Sequence, residues 1–275
     1  MRNPTVTGCG DNDRFDATDL NEVSWDQTRI FHFGYPPIMR KMFERHGKEL
    51  AAIFKLARSK GVLTSLDMCM PDSKSDSGKV DWRRICKRVL PLVDLFCPSF
   101  EELLYMLDRP MYDKLNKRGI SLSRDASGRL LSALAERCLA MGAGAVLIKI
   151  GDQGLYLRTA AETRLGEIAS DWRGRELHCN CRRVNVVGTT GSGDCTIAGF
   201  LLAVLRGKNP DVALQWSTAV GATCCESSDS ISAITKWAAI QKRIDRGWAW
   251  LPAKIKLDGW KKAGHLRAGP NDTCF

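Results

Sequence analysis

The most informative part of this sequence is the stretch Val187-Gly188-Thr189-Thr190-Gly191-Ser192-Gly193-Asp194-Cys195-Thr196-Ile197-Ala198-Gly199-Phe200. A β-branched run leads into three glycines and two threonines, and apolar residues then recur at helical spacing from Ile197 to Leu205. The pattern predicts a strand, a tight glycine turn and a helix, which is the repeating unit of an α/β fold.

The glycine turn predicts a site that stabilises an anion. Gly191, Ser192 and Gly193 are free to point successive backbone N–H groups at one spot, where the positive end of the next helix also points. A carboxylate at Asp194 would repel a resting phosphate, and it is better explained as the acceptor of a proton from a hydroxyl that attacks the phosphate. The turn therefore favours phosphoryl transfer. The alternative is a plain glycine turn in which Asp194 caps the helix.

Two other glycine loops fit this stretch poorly. A Walker loop requires Lys and Ser or Thr after its last glycine, whereas Gly193 is followed by Asp194. The dinucleotide fingerprint requires an acidic residue at the end of the next strand, and the sequence from Val220 onward offers none.

The residues from Thr189 to Asp194, followed by Ala198-Gly199-Phe200, resemble the C-terminal signature of the ribokinase (phosphofructokinase B type) sugar kinases. The family pattern reads Asp-Thr-Thr-Gly-Ala-Gly-Asp, and the resemblance extends over residues 10 to 235. It implies a three-layer α/β/α sandwich with a mostly parallel central sheet, and it implies ATP and Mg²⁺ as cofactors, with a monovalent cation as a further candidate. Gly188 stands where the family most often has an acidic residue, which would weaken the positioning of the magnesium or its waters.

The resemblance also organises the chain into three parts. Residues 1–27 are polar and are predicted to form a lead-in loop, and residues 28–235 form the kinase domain. Residues 236–275 form a basic tail with a helix and an extended part, anchored by Trp248, Trp250 and Trp260. The first strands and the lid of a typical member are expected to be missing. The exposed sheet edge would then promote self-association, for instance as a homodimer.

Two residues at predicted strand ends are candidates for ligand contact. Tyr35 follows a strand over residues 28–33, at the end where α/β sheets place ligands, and it is a candidate for the substrate side or simply a packed turn aromatic. Asp67 follows a strand over residues 62–66. The resemblance places Asp67 near the phosphate and the magnesium, although a turn-forming aspartate explains it equally well.

Pro98 ends another strand, and the next residues have two interpretations. Ser99 and Glu102 have the spacing of a helix capping box. They also resemble the family's Asn-x-x-Glu motif, in which Glu102 holds a magnesium-bound water and Ser99, in place of Asn, borders the nucleotide. A hydroxyl can replace one hydrogen bond of the amide but not both.

A predicted strand over residues 145–150 leads into a sharp turn at Gly151 and Gly154 and a returning strand over residues 155–158. This pattern alone predicts no more than a hairpin. The family places the nucleotide over this turn, so that Gly151, Gly154 and Thr189 would border it and Lys149 would contact a phosphate. Helices are predicted over residues 38–59, 82–90, 110–117, 129–141 and 211–226.

Composition narrows the class of protein. The 275 residues include no apolar run long enough to span a bilayer, and the 11 cysteines are scattered, so a cytoplasmic protein with reduced thiols is expected. The net charge of +10 gathers in the tail without a nucleic-acid-binding motif. A solvated basic face is the better explanation, and neither nucleic acid nor membrane is expected as a partner.

Two functions follow from these observations. The first is an ATP-dependent carbohydrate kinase that phosphorylates a hydroxyl of a small sugar-like molecule, with Asp194 as the general base and Gly191, Ser192 and Gly193 as the anion hole. The second is a catalytically impaired remnant or nucleotide-binding protein of the same fold, because the elements that grip the sugar are expected to be missing.

Overall fold

The computed structural model describes residues 10–119 and 121–274. These residues form one eight-stranded sheet with the order β1-β2-β3-β4-β5-β6-β8-β7. The strands are β1 (Ile30–Phe33), β2 (Leu63–Leu66), β3 (Leu95–Phe96), β4 (Ala145–Lys149), β5 (Leu155–Thr159), β6 (Glu176–Cys179), β7 (Lys261–Ala263) and β8 (Leu266–Ala268). The first four strands are parallel, and the remaining pairings are antiparallel.

Helices cover both faces of the sheet. They are α1 (Arg40–Phe43), α2 (Lys48–Ser59), α3 (Trp82–Val89), α4 (Phe100–Leu107), α5 (Arg109–Asn116), α6 (Gly128–Ala140), α7 (Ser192–Leu205), α8 (Pro210–Cys224) and α9 (Trp237–Asp245). One apolar core joins α2, α3, α4 and α6 to one face of the sheet, and a second core joins α7 and α8 to the other. The predicted three-layer arrangement therefore follows from strands that bury side chains on both faces.

Helices α7 and α8 pack at unusually short range because both carry glycine at the crossing. A Cβ atom added to Gly221 would lie 2.1 Å from Thr196 Oγ1, and one added to Gly199 would lie 2.8 Å from the Trp216 carbonyl oxygen. A larger residue would require the backbone of α8 to shift at Gly199, and at least the Thr196 side chain to move at Gly221.

The strand predicted directly before the glycine turn is wrong. Residues 183–187 join no ladder, and Val186 and Val187 expose 60% and 59% of their surface. Both sides of β6 are already paired, with β5 and β8, so this segment cannot pair with the strand that precedes it. It crosses the end of the sheet instead, and the Val187 amide donates to the Cys225 carbonyl.

The tail contributes more to the sheet than its sequence predicts. Its helix is α9, as expected, but β7 and β8 form a hairpin that adds two strands next to β6. Gly264, with φ +61°, makes the turn between them. Between residues 160 and 186 the structure has β6 and two short 3₁₀ turns. In the described part of the chain no helix is long and apolar enough to cross a bilayer.

Candidate active site

A cavity of about 380 Å³ lies between the β4–β5 turn and the pair α7 and α8. Six of the residues proposed from the sequence line it: Lys149, Gly151, Gly154, Thr189, Ser192 and Gly193. Gly154 has φ +98°, and a Cβ atom there would lie 2.1 Å from the Cys179 carbonyl oxygen. The hairpin thus requires this glycine to bring two backbones together, whatever else the turn does.

The turn before α7 has one amide fewer to offer an anion than the sequence predicts. Gly191 adopts φ +75° against Ser230, which only glycine tolerates. The Ser192 amide donates to the Thr189 carbonyl over 3.2 Å, and the Ser192 hydroxyl donates to the same oxygen over 2.8 Å. Of the three amides assigned to the anion hole, that of Ser192 is therefore engaged within the turn, while Gly193 lies in the first turn of α7.

Asp194 is not a helix cap. Gly191 occupies the N-cap position of α7, and no side chain makes a capping hydrogen bond there. The Asp194 carboxylate is exposed and accepts a 2.6 Å hydrogen bond from the Tyr35 hydroxyl. Burial and the Asp194 carboxylate raise the pKa of Tyr35, so the phenol stays a donor. The structure thus brings together two residues that lie 159 positions apart in the chain.

A buried ion pair adjoins the glycine turn. Lys149 Nζ lies 2.5 Å from Asp67 Oδ1, and a Cβ atom built on Gly193 would lie 4.0 Å from the same Nζ. Burial alone would lower the pKa of Lys149, but the carboxylates of Asp67 and Glu102 outweigh it and raise that pKa. The ammonium group is therefore charged and faces the place where the sequence predicts phosphate.

Ser99 and Glu102 form the capping box that their spacing predicts. The Ser99 amide donates to Glu102 Oε2 over 2.7 Å, and the Glu102 amide donates to Ser99 Oγ over 3.2 Å. Burial raises the pKa of Glu102 to about 7. Among the described residues no three His, Cys, Asp or Glu side chains cluster as a ready metal site. Asp67 and Glu102 fit a magnesium ion that is held chiefly by nucleotide phosphates and water, because Mg²⁺ commonly takes one or two protein carboxylates.

Arg182 is a cavity residue that the sequence did not single out. Its side chain is 4% exposed, its Nη1 donates to the Trp248 carbonyl over 2.7 Å, and its guanidinium carbon lies 3.2 Å from the centre of the Trp250 ring. The sequence carries little signal for it, because Arg182 is one of two adjacent arginines in the polar segment 180–185 that follows β6, and its burial depends on two tryptophans of the distant tail.

The model of the pfkB family of carbohydrate kinases matches residues 43–237 of this chain. An uncharacterized sugar kinase of Archaeoglobus fulgidus is 33% identical over 92 residues, which is 34% of this chain and 32% of that protein.

Solved structures of sugar and nucleoside kinases share the fold. The aminoimidazole riboside kinase of Salmonella enterica, complexed with aminoimidazole riboside and an ATP analogue, has a TM-score of 0.56 at 19% identity, over 78% of this chain and 62% of that one. The fructokinase of Vibrio cholerae O395, bound to fructose, ADP and calcium, has a TM-score of 0.58 at 16% identity, over 83% and 64%. This chain thus spans less than two thirds of each relative, and the predicted fold class is confirmed.

Proposed function

Because this chain belongs to the pfkB family of carbohydrate kinases, we propose that it transfers the terminal phosphoryl group of ATP to a hydroxyl of a sugar or sugar-like molecule. The observation that carries the proposal is the Asp194 carboxylate. It is exposed at the first turn of α7, it is not used as a cap, and it follows directly on a glycine that lines the cavity.

In the proposed reaction the acceptor hydroxyl gives its proton to Asp194 as its oxygen forms a bond to the γ-phosphorus. The bond between that phosphorus and the bridging oxygen breaks, and ADP leaves with the electron pair. The Gly193 amide and the Lys149 ammonium stabilise the charge on the phosphoryl oxygens. When bound, Mg²⁺ would neutralise phosphate charge, with Asp67 and Glu102 as the residues that hold it or its waters.

Tyr35 is proposed to face the substrate while holding Asp194. Its hydroxyl occupies Asp194 Oδ1, so the acceptor hydroxyl would be left to approach the other carboxylate oxygen. Gly151, Gly154, Ser99 and Thr189 are proposed to border the nucleotide. A monovalent cation, a homodimer and a cytoplasmic location stay predictions.

A second candidate function is nucleotide binding without efficient turnover. Gly188 favours it, because this position lacks the acidic residue that would help to position the magnesium. A Cβ atom at Gly188 would lie 2.7 Å from the Ser227 carbonyl oxygen. The acidic side chain that the family most often carries at this position would therefore not fit here unless residues 227–228 moved.

Asp194→Asn separates the two functions. The change keeps the size of the side chain and its acceptor for Tyr35 but removes the base, so turnover should fall by about 100-fold to 10,000-fold, with nucleotide affinity hardly changed. The assay measures ADP release with a panel of pentoses, hexoses, deoxy sugar acids and nucleosides. The exposed Asp258→Asn serves as the matched control.

Equal turnover in the wild type and Asp194→Asn would overturn the base assignment. Absence of turnover in both, with nucleotide still bound, would favour the second function. Titration calorimetry and thermal shift with millimolar ATP and magnesium provide the binding measurement, since a ligand that binds the folded state raises its melting temperature.

A further inference from the structure

The buried cation Arg182 has no charge partner. Within residues 10–119 and 121–274 it forms no ion pair with a carboxylate, and the hydrogen bond to the Trp248 carbonyl is the one that its side chain donates. Its Nε is buried and meets no acceptor. Burial lowers the pKa of Arg182 to about 10, which still leaves the group charged at neutral pH. An unpaired buried charge is costly, so its retention beside a cavity calls for a ligand that offsets the cost.

The tail holds Arg182 in place. The Arg183 amide donates to the Ala249 carbonyl over 2.8 Å, and the Leu251 amide donates to the Cys181 carbonyl over 2.8 Å. The Trp250 ring covers one face of the guanidinium group. One N–H of Nη1 is taken by the Trp248 carbonyl and Nε is buried, so the second N–H of Nη1 and those of Nη2 are the donors left for a ligand.

Arg182 lies at the end of the cavity that is remote from the glycine turn. Cys225, at the C-terminal end of α8, contacts Val187 before that turn. Thr218 lines the cavity seven residues earlier on the same helix, hence about 10 Å further along its axis. Arg182 lies five residues before Val187 on the segment that leads into the turn, and it pairs there with Trp250 of the tail. If phosphates occupy the glycine turn, the base of the same nucleotide reaches the Arg182 end.

We propose that Arg182 contacts the base of the bound nucleotide, and that the site takes nucleotides of guanine and hypoxanthine at least as tightly as those of adenine. Arginine offers donors only, in a planar fork. Guanine and hypoxanthine present two adjacent acceptors, N7 and O6, which match this fork, whereas adenine presents N7 beside an amino group. The inference rests on the proposed function, because it specifies the nucleotide that the same site uses.

The experiment is calorimetry on the full chain with the magnesium complexes of ADP, GDP and IDP. In the wild type, GDP and IDP should bind at least as tightly as ADP. In Arg182→Met, affinity for GDP and IDP should fall by about 5-fold to 150-fold, the range measured for a bidentate arginine contact with a base, while ADP changes least. Arg183→Met, at the exposed neighbour, should leave all three affinities unchanged.

Arg182→Lys is the second variant, to be used if Arg182→Met does not fold. It keeps the positive charge and removes the planar fork of donors. It should weaken the binding of GDP and IDP relative to that of ADP, while the melting temperature stays near that of the wild type. An equal loss for all three nucleotides, or a wild type that binds ADP alone, would overturn the assignment of Arg182 and leave the proposed kinase intact. A wild type that binds none of the three would overturn both.

Discussion

The two ends of the cavity each contain a buried cation, but only one of the two has a counter-charge. Lys149 pairs with Asp67 over 2.5 Å and also interacts with Glu102, whereas Arg182 stacks on Trp250 and meets no carboxylate in the described part of the chain. A compensated charge contributes to the folded state without help from a ligand. An uncompensated one costs stability until something binds. The comparison thus separates a residue held in place by the fold from one held ready for a ligand.

Removing the counter-charge of Lys149 should have the largest effect on stability. Asp67→Asn leaves the ammonium group buried without its carboxylate, and breaking one partner of a buried pair costs about 3–5 kcal/mol of the free energy of unfolding. Urea unfolding measures it, with the exposed Asp26→Asn as the control. A loss no larger than that of the control would mean that Lys149 needs no counter-charge, and the contrast with Arg182 would disappear.

The pH dependence of stability tests the third member of this charged group. Burial raises the pKa of Glu102 to about 7 from the ordinary 4.5, so the folded state holds the proton more tightly than the unfolded state. The free energy of unfolding should therefore fall by about 3 kcal/mol as the pH rises from 4.5 through 7, and this contribution should be level from about pH 8 upward.

Glu102→Gln mimics the protonated acid and should remove this slope, whereas Glu101→Gln on the same helix should keep it. Urea titrations at several pH values compare the two variants. A slope that persists unchanged in Glu102→Gln would assign it to another group and weaken the electrostatic account of the Lys149 end.

The smallest effect on stability is expected at the other end of the cavity. Arg182→Met removes a charge that has no partner, so the regained desolvation cost should offset the lost stacking on Trp250 and the lost hydrogen bond to the Trp248 carbonyl, to within about 1 kcal/mol. Urea unfolding in the absence of nucleotide measures this change in the free energy of unfolding. A loss as large as that of Asp67→Asn would show that the apo protein already compensates Arg182.

Local patterns predicted most of the fold because each element carries its own signal. The run of residues from Ala145 to Thr159 reads as two strands around a glycine turn, and the structure has β4 and β5 there. The valines from Val184 to Val187 have the same local preference for strand, yet they pair with nothing. Sequence could not reveal that β8, from the distant tail, already occupies the free side of β6. Long-range competition for the side of β6, and not local strand propensity, therefore determined that this segment does not form a strand.

In the candidate site, too, the sequence predicted the local contacts and not the long-range ones. The spacing of Ser99 and Glu102 predicted a capping box that the structure contains. The contact of Tyr35 with Asp194 spans 159 positions in the chain, and the pair Lys149 and Asp67 spans 82. Each was a candidate for a separate reason, but no single-sequence signal joins them. Arg182 was missed altogether, because its burial depends on how the tail folds back over the end of β6.

Gly199 and Gly221 set the distance between α7 and α8, and this limits how the protein can evolve. A single added methyl group at Gly221 would overlap Thr196 Oγ1, and one at Gly199 would overlap the Trp216 carbonyl oxygen, so neither position accepts a larger residue unless its neighbour moves. Residues 248–251 of the tail contain no glycine and lie outside this helix crossing, so they are free of this constraint. Any lineage that acquires a new nucleotide preference should therefore carry its substitutions in the tail and in the loop around Arg182, while the two glycines stay unchanged.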